Sequence, residues 1–233
     1  MTDEKTLSGA FFGEKAKTLT YKEQAYKLIK EAILYHKLEI NRIYSQEAIC
    51  EQLGISRTPV REALLELQNE GFIHFCRGKG IKVVELDDKS IYEILEMRYY
   101  QEAIAARLAA RRATEEDLKR IKEALDENKG DMNSKDIIHC YQLDHQFHRA
   151  VVMASHNSLL NKSLDEVLNH YLRFEVLTVY QSSASAEKII EEHNAIYQSI
   201  LNHDEDAAEK AAKKHLNDAY HRTLSRYWDH QKG

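Results

Sequence analysis

Apolar residues recur at helical spacing along most of the chain, and two short alternating runs interrupt them once. Ala25, Leu28, Ile29, Ala32 and Ile33 predict a first helix from Tyr21 to about Tyr35. Ser45 can cap a short second helix through Gln52, which Gly54 ends as a left-handed turn residue would. A third helix runs from Arg57 to about Asn69, capped by Ser56. Pro59 sits in its first turn, where a missing amide costs no helical bond, and Gly71 closes it. Phe72 to Cys76 and Ile81 to Glu85 then read as strands joined through Arg77-Gly78-Lys79-Gly80. Helix, helix, turn, helix and hairpin make a winged helix-turn-helix.

Beyond Leu86 the pattern changes to long amphipathic helices: Asp88 to Arg112, Glu115 to Asn128, Ser134 to Ala154, Ser158 to Tyr180, Ala186 to Asn202 and Glu205 to His230. Ser90, Thr114, Asn157, Ser185 and Asp204 stand where caps are needed. The expected fold is mainly α: a flexible arm over residues 1–19, a winged helix-turn-helix over 20–85, and an all-α six-helix bundle over 86–233. A single proline and 8 glycines in 233 residues agree with long helices.

Composition changes this picture little. Hydrophobic residues at 43% and charged residues at 30% exclude a disordered chain. No apolar run approaches the ~20 residues of a membrane helix, and the opening Met-Thr-Asp-Glu-Lys lacks a secretory pattern, so a cytoplasmic protein without a membrane partner is expected. Cys50, Cys76 and Cys140 are few and far apart, as reduced structural cysteines are. The net charge of −5 hides a split, with 10 Lys/Arg against 9 Asp/Glu in residues 20–85 and 20 against 26 in residues 86–233.

The segment Gly54-Ile55-Ser56-Arg57-Thr58-Pro59-Val60-Arg61-Glu62-Ala63-Leu64 puts a tight turn, a cap and two arginines on one helical face. Arg57 and Arg61 are placed to read guanine edges in a major groove, Ser56 and Thr58 to hold phosphate, and Lys79 at the wing tip to reach phosphate or the minor groove. Val60, Ala63, Leu64 and Leu67 form the packing face. An isolated arginine pair would more simply be solvated charge. Together with Glu70-Gly71-Phe72-Ile73 and a Gly-x-Gly wing, however, the segment strongly resembles the GntR family of bacterial regulators, which implies double-stranded operator DNA as partner. Two departures stand out: Glu39-Ile40-Asn41 replaces the family's proline-glycine turn, and Glu47 takes the place of an arginine that contacts DNA in some members.

Asp144 and His148 lie one helical turn apart, and His193 and His215 follow on two later helices among apolar neighbours. Such a set can form a divalent transition-metal site. With 12 histidines in the chain, spacing alone also leaves core histidines open. Ile94-Leu95-Glu96-Met97-Arg98, Glu102, Asp144-His145-Gln146-Phe147-His148, Glu192-His193-Asn194-Ala195-Ile196 and His215-Leu216 resemble the FCD effector domain of the FadR-type subfamily over about Asp88 to Leu224. The resemblance implies a metal on Asp144, His148, His193 and His215, with zinc, nickel or manganese as candidates. It also implies a small organic acid effector, with Arg98 as its clamp or, alternatively, as an ion-pair partner of Glu102; Tyr99, Arg149 and Asn157 are candidates for the same cavity. The remaining histidines, His145 included, read as surface or packing residues. A metallohydrolase is the main competing reading, but no His-Glu-x-x-His helix is present and it leaves the winged helix unexplained. A purely structural metal is the third. A homodimer on a palindromic operator is expected, since one recognition helix reads few base pairs.

Overall fold

The computed structural model describes residues 19–130, 136–175 and 183–231. The arm, apart from Leu19, the helix start at Ser134 and the helix end at Tyr180 lie outside them. The chain divides into two compact units, one holding the residues up to Ile33 and Leu38–Val84, the other Leu34–Lys37 and the residues from Glu85 onward.

The first unit contains α1 (Tyr21–Leu34), β1 (Ile43–Tyr44), α2 (Gln46–Leu53), α3 (Arg57–Asn69), β2 (Ile73–Cys76) and β3 (Gly80–Val83). Its sheet has the order β1-β3-β2, both pairings antiparallel, with Tyr44 opposite Ile81 and Cys76 opposite Gly80. The strand β1 adds to the expected hairpin; at two residues it is too short to show an alternating pattern. The chain turns ahead of it through Asn41 at φ 69°, a left-handed conformation that a short polar side chain tolerates where glycine is absent. Ala25, Ile29 and Ile33 bury one stripe of α1, and Val60, Ala63, Leu64 and Leu67 one face of α3. Leu28, expected in the core, is 46% exposed because it stands about 100° away from that stripe.

Two glycines set the backbone path of this unit. Gly54, at φ 65°, ends α2 and returns its amide to Cys50 and Glu51, which fixes the short turn into α3. Gly80, at φ 126°, passes so close to β1 that a Cβ there would lie 2.0 Å from the Tyr44 carbonyl oxygen.

The second unit is a bundle of α4 (Asp88–Arg112), α5 (Glu115–Gly130), α6 (Ile137–Ala154), α7 (Ser158–Glu175), α8 (Ser183–Leu201) and α9 (Glu205–Gln231). Ala103, Ala105, Ala106, Ala109 and Ala110 are buried along α4, so small side chains occupy its packed faces. Ile121, Leu125, Phe147, Val151, Ile196, Ile200 and Ala212 build the core around that alanine-rich helix. Thr114, Asn157 and Asp204 cap as their positions indicate, accepting from Asp117 N, Leu160 N and Ala207 N. Ser90 does not cap: it lies inside α4, and its amide is held by Asp87 at 2.8 Å. Ser185 likewise falls inside α8, which begins at Ser183. Thr114 and Asp117 form a reciprocal capping box. Burial pushes the Asp117 carboxyl up, but hydrogen bonds from Thr114 and His156 outweigh it and bring it down to about 2.

Candidate functional site

The first unit presents Ser56, Arg57, Thr58 and Arg61 as exposed side chains on the opening turns of α3, opposite the face that packs. Ser56 stands at the N-cap with extended backbone but makes no side-chain cap hydrogen bond, so its hydroxyl is not committed to its own helix. Lys79 lies exposed at the tip of the β2–β3 turn, between Gly78 at φ 69° and Gly80.

In the second unit, α6, α8 and α9 bring His148, His193 and His215 together, one nitrogen of each within 4.8 Å of the others, all buried. Asp144, one turn before His148, lies beside this group. Its Oδ2 is 3.5 Å from His148 Nε2 and its Oδ1 is 3.6 Å from His193 Nε2. Burial alone would favour the neutral acid, yet the imidazoles of His148, His193 and His145 hold Asp144 well below the usual carboxylate range.

Carboxylates behind the imidazoles set which nitrogen each presents. His148 Nδ1 is 2.5 Å from Glu102 Oε2, and His215 Nδ1 is 2.8 Å from Glu192 Oε2. An ionised carboxylate only accepts, so both rings carry hydrogen on Nδ1, and Nε2 is the nitrogen each can offer to a ligand when it is unprotonated. Glu102 and Glu192 remain ionised: burial pushes each up, and their cationic and imidazole neighbours bring each down to about 2. Arg222 grips Glu192 bidentately at 3.0 and 2.9 Å. His193 stacks on Phe147, ring centroids 4.2 Å apart, and burial keeps its imidazole neutral. Its two nitrogens, and His215 Nε2, are buried without a hydrogen-bond partner among the described residues. An unmet buried polar atom costs about 1–3 kcal/mol. Since a neutral His193 carries hydrogen on one of its nitrogens, the three atoms amount to one N–H and two lone pairs, and the two lone pairs suit a ligand that accepts them. Burial keeps His193 and His215 neutral, whereas at His148 the Glu102 and Asp144 carboxylates outweigh burial and raise the imidazole to about 9. With that proton displaced, three imidazoles and one carboxylate fit a divalent transition metal.

Arg98 on α4 borders the cluster. Its Nη2 lies 3.0 Å from His148 Nε2, its Nε donates to Glu102 Oε1, and its guanidinium carbon sits 3.9 Å from the Tyr171 ring centroid. A pocket of about 350 Å³ lined by Lys188, Lys210 and Lys214 also reaches Glu192 and His215. A second cleft of about 600 Å³ lies between α4 and α9 and includes Tyr92, Tyr99, Tyr100 and Tyr220.

Comparison with known proteins decides what these units are. The sequence pattern of bacterial regulatory proteins of the gntR family matches residues 21–83, and that of the FCD domain matches residues 93–218. The chain belongs to the GntR family. As a GntR regulator with an FCD domain it is a DNA-binding transcriptional regulator, of a family whose members are not enzymes. It is 28% identical over 202 residues to the HTH-type transcriptional regulator YdhC of Bacillus subtilis, covering 86% of this chain and 90% of that one. It is 30% identical over 193 residues to the Glc operon transcriptional activator of Escherichia coli, covering 74% and 76%. Among solved structures, Escherichia coli McbR/YncC superposes with a TM-score of 0.80 at 20% identity, covering 90% of this chain and all of that one, a likeness of fold.

Within this GntR regulator the structure gives two other residues considered for the cavity different surroundings. Asn157 spends its carboxamide on the start of α7, and Arg149 on Asp165 at 2.8 Å and Asn169 at 3.0 Å. His145 is a buried packing residue, its ring 6.1 Å from Tyr171. Sequence reasoning missed the roles of Glu102 and Glu192 in orienting imidazoles. Glu102 reaches across from α4 to α6, which no local spacing reveals. For Glu192 a signal existed: one residue before His193, it points about 100° away, towards α9.

Proposed function

We propose that this GntR regulator is a metal-dependent sensor of a small carboxylic acid, acting as a homodimer on a palindromic operator. The observation that carries the sensor reading is the set of buried His193 and His215 nitrogens without hydrogen-bond partners, next to an ionised Asp144. Asp144, His148, His193 and His215 would hold the metal through one oxygen and three imidazole nitrogens. Zinc, nickel and manganese all accept such donors, and a six-coordinate ion offers a carboxylate two further positions. Glu102 and Glu192 fix the rings in the tautomer that ligation needs.

Arg98 is the proposed clamp. Its hydrogen bond to His148 Nε2 and ligation at the same nitrogen draw on one lone pair, so they exclude each other. Glu102 retains the guanidinium through Nε, which leaves Nη2 pointed at the cluster as a donor for an effector carboxylate. The pocket at His215 sets Lys188, Lys210 and Lys214 against Glu191 and Glu192, a small excess of positive charge where an anion would approach.

On the DNA side, Arg57 and Arg61 are assigned base edges, Ser56 and Thr58 phosphate, and Lys79 the backbone or minor groove. Arg57→Ala or Arg61→Ala is expected to lower preference for a selected operator roughly five- to 150-fold with the fold intact, at about 1–3 kcal/mol per bidentate contact. Lys79→Ala is expected to weaken selected and random duplexes alike and reduce the salt slope by about one. Titrations at three salt concentrations check both, and unchanged specificity in both arginine variants refutes the assignment of α3.

The dimer follows from the reach of one recognition helix. Met97, Tyr100 and Ile104 give α4 an exposed apolar stripe suited to burial. Light scattering is expected to report twice 27.1 kDa, and a monomer both free and on DNA overturns this.

A further inference from the structure

The first unit carries one acidic side chain where a DNA-binding surface has least use for it. Glu47, in the first turn of α2, places its Oε1 3.5 Å from Arg57 Nη2 at the first position of α3. Both side chains are well exposed, 62% for Glu47 and 74% for Arg57, so neither is there to fill a core. Next to it, Gln46 Nε2 donates to the Arg57 carbonyl at 3.2 Å, tying the starts of the two helices together. Arg61, one turn further along the same face, has no such carboxylate among the described residues. The two arginines proposed to read bases are therefore held differently.

Physical chemistry sets what an exposed carboxylate can do here. As stabilisation the pair is worth little, since water screens exposed ion pairs and two long side chains lose rotamer freedom in making it. Towards DNA the effect has a definite sign. Phosphate repels Glu47 on any sequence, so the residue weakens sequence-independent binding. A carboxylate in the major groove does accept a hydrogen bond from the cytosine N4 amine. A guanidinium pinned at one nitrogen still offers its remaining donors to guanine O6 and N7.

We propose that Glu47 is a positioning and specificity residue of the operator interface. It holds the Arg57 guanidinium for a guanine, accepts from a neighbouring cytosine, and penalises duplexes that lack them. The proposal rests on the assignment of Arg57 to base edges. It differs from a role for Glu47 in α2 alone, where an acid in the first turn also meets the helix dipole favourably.

The test uses the full-length protein and two duplexes: one selected from a random-sequence library by the wild type, and the same bases shuffled. Glu47→Gln is expected to bind the shuffled duplex roughly two- to fivefold tighter, through loss of one repulsive charge. It is expected to bind the selected duplex up to about tenfold more weakly, and a repeated selection should relax one position in each half-site. In an Arg57→Ala background, Glu47→Gln is expected to leave base preference at the Arg57 position unchanged. Thermal melting of every variant guards against misfolding, and Glu47→Asp provides a second, charge-retaining variant expected to keep the tighter discrimination in part. Equal changes on both duplexes, or an unaltered selected sequence, overturn the proposal and leave only the helix-dipole role. Unchanged specificity in Arg57→Ala itself instead refutes the underlying assignment of Arg57, a separately readable outcome.

Discussion

His193→Ala is expected to purify with little bound metal and to lose its response to added carboxylic acids, while keeping operator affinity. His193 supplies the cluster's most enclosed imidazole, fully buried, stacked on Phe147, with both nitrogens lacking hydrogen-bond partners among the described residues. Its loss removes one of four donors, and metal affinity falls steeply with donor number. Anything that binds only the folded state raises stability by mass action, so the wild type should melt higher with added zinc, nickel or manganese and the variant should not. The variant's fold should survive, because truncation to alanine also removes buried polar atoms that are costly to leave unmet. Operator affinity should hold because α8 belongs to the other compact unit from α3. Metal analysis after purification without added metal, melting with each ion, and operator titrations with a panel of small organic acids measure all of this. Full acid response in the variant refutes a metal-dependent sensor, and metal binding without acid response in the wild type leaves the metal a structural one.

Gly80→Ala is expected to be the most damaging single methyl group in the DNA-binding unit. The added Cβ would lie 2.0 Å from Tyr44 O and 2.9 Å from Ser45 Cα, both backbone, and φ 126° is a conformation that alanine rarely adopts. Overpacking against backbone and a strained dihedral each cost about 1–3 kcal/mol, so about 4 kcal/mol together is expected. The strand β1 would separate from β3, and with it would move Ser45, the cap of α2. Calorimetry of the full chain should show the DNA-binding transition lowered and operator affinity down more than about tenfold, with metal content unchanged. Gly78→Ala, whose Cβ would meet nothing within 4 Å, is the control and should cost only the dihedral term. Equal damage from both substitutions refutes the account of close packing at Gly80.

The difference between these glycines was hidden in the sequence, where Gly78 and Gly80 look like a symmetric pair around Lys79. Periodicity and caps sufficed for most helices of the chain, because a face such as Val60, Ala63, Leu64 and Leu67 repeats at 3.6 residues wherever it packs. They failed where a partner decides the outcome. β1 is defined by pairing with β3 alone, and Ser90 lost the cap to Asp87 because the chain entered α4 three residues earlier than the serine suggested. The same limit applies to the histidine cluster. The residue types of Asp144, His148, His193 and His215 were legible from local spacing and resemblance. Glu102 beneath His148 was not, for it acts across two helices. Even the Arg98–Glu102 pair, visible as a four-residue spacing, gave no hint that the same guanidinium also meets a histidine nitrogen.

The alanine-lined path of α4 has a mechanical consequence. On the α4 side of these contacts the alanine methyl groups have no rotamer to change, so the partner helices approach closely and only their own side chains can adjust. The two methionines among the described residues, Met97 and Met153, are both on the surface, so the bundle interior there lacks the conformable thioether that absorbs small displacements elsewhere. Displacements of the partner helices against the alanine face would therefore be taken up on the partners' side or passed to α4 as a whole, whereas at the histidine cluster α4 meets its neighbours through the longer Arg98 and Glu102. At 25 residues, α4 is about 37 Å long, so a small tilt at one end would be a larger displacement at the other.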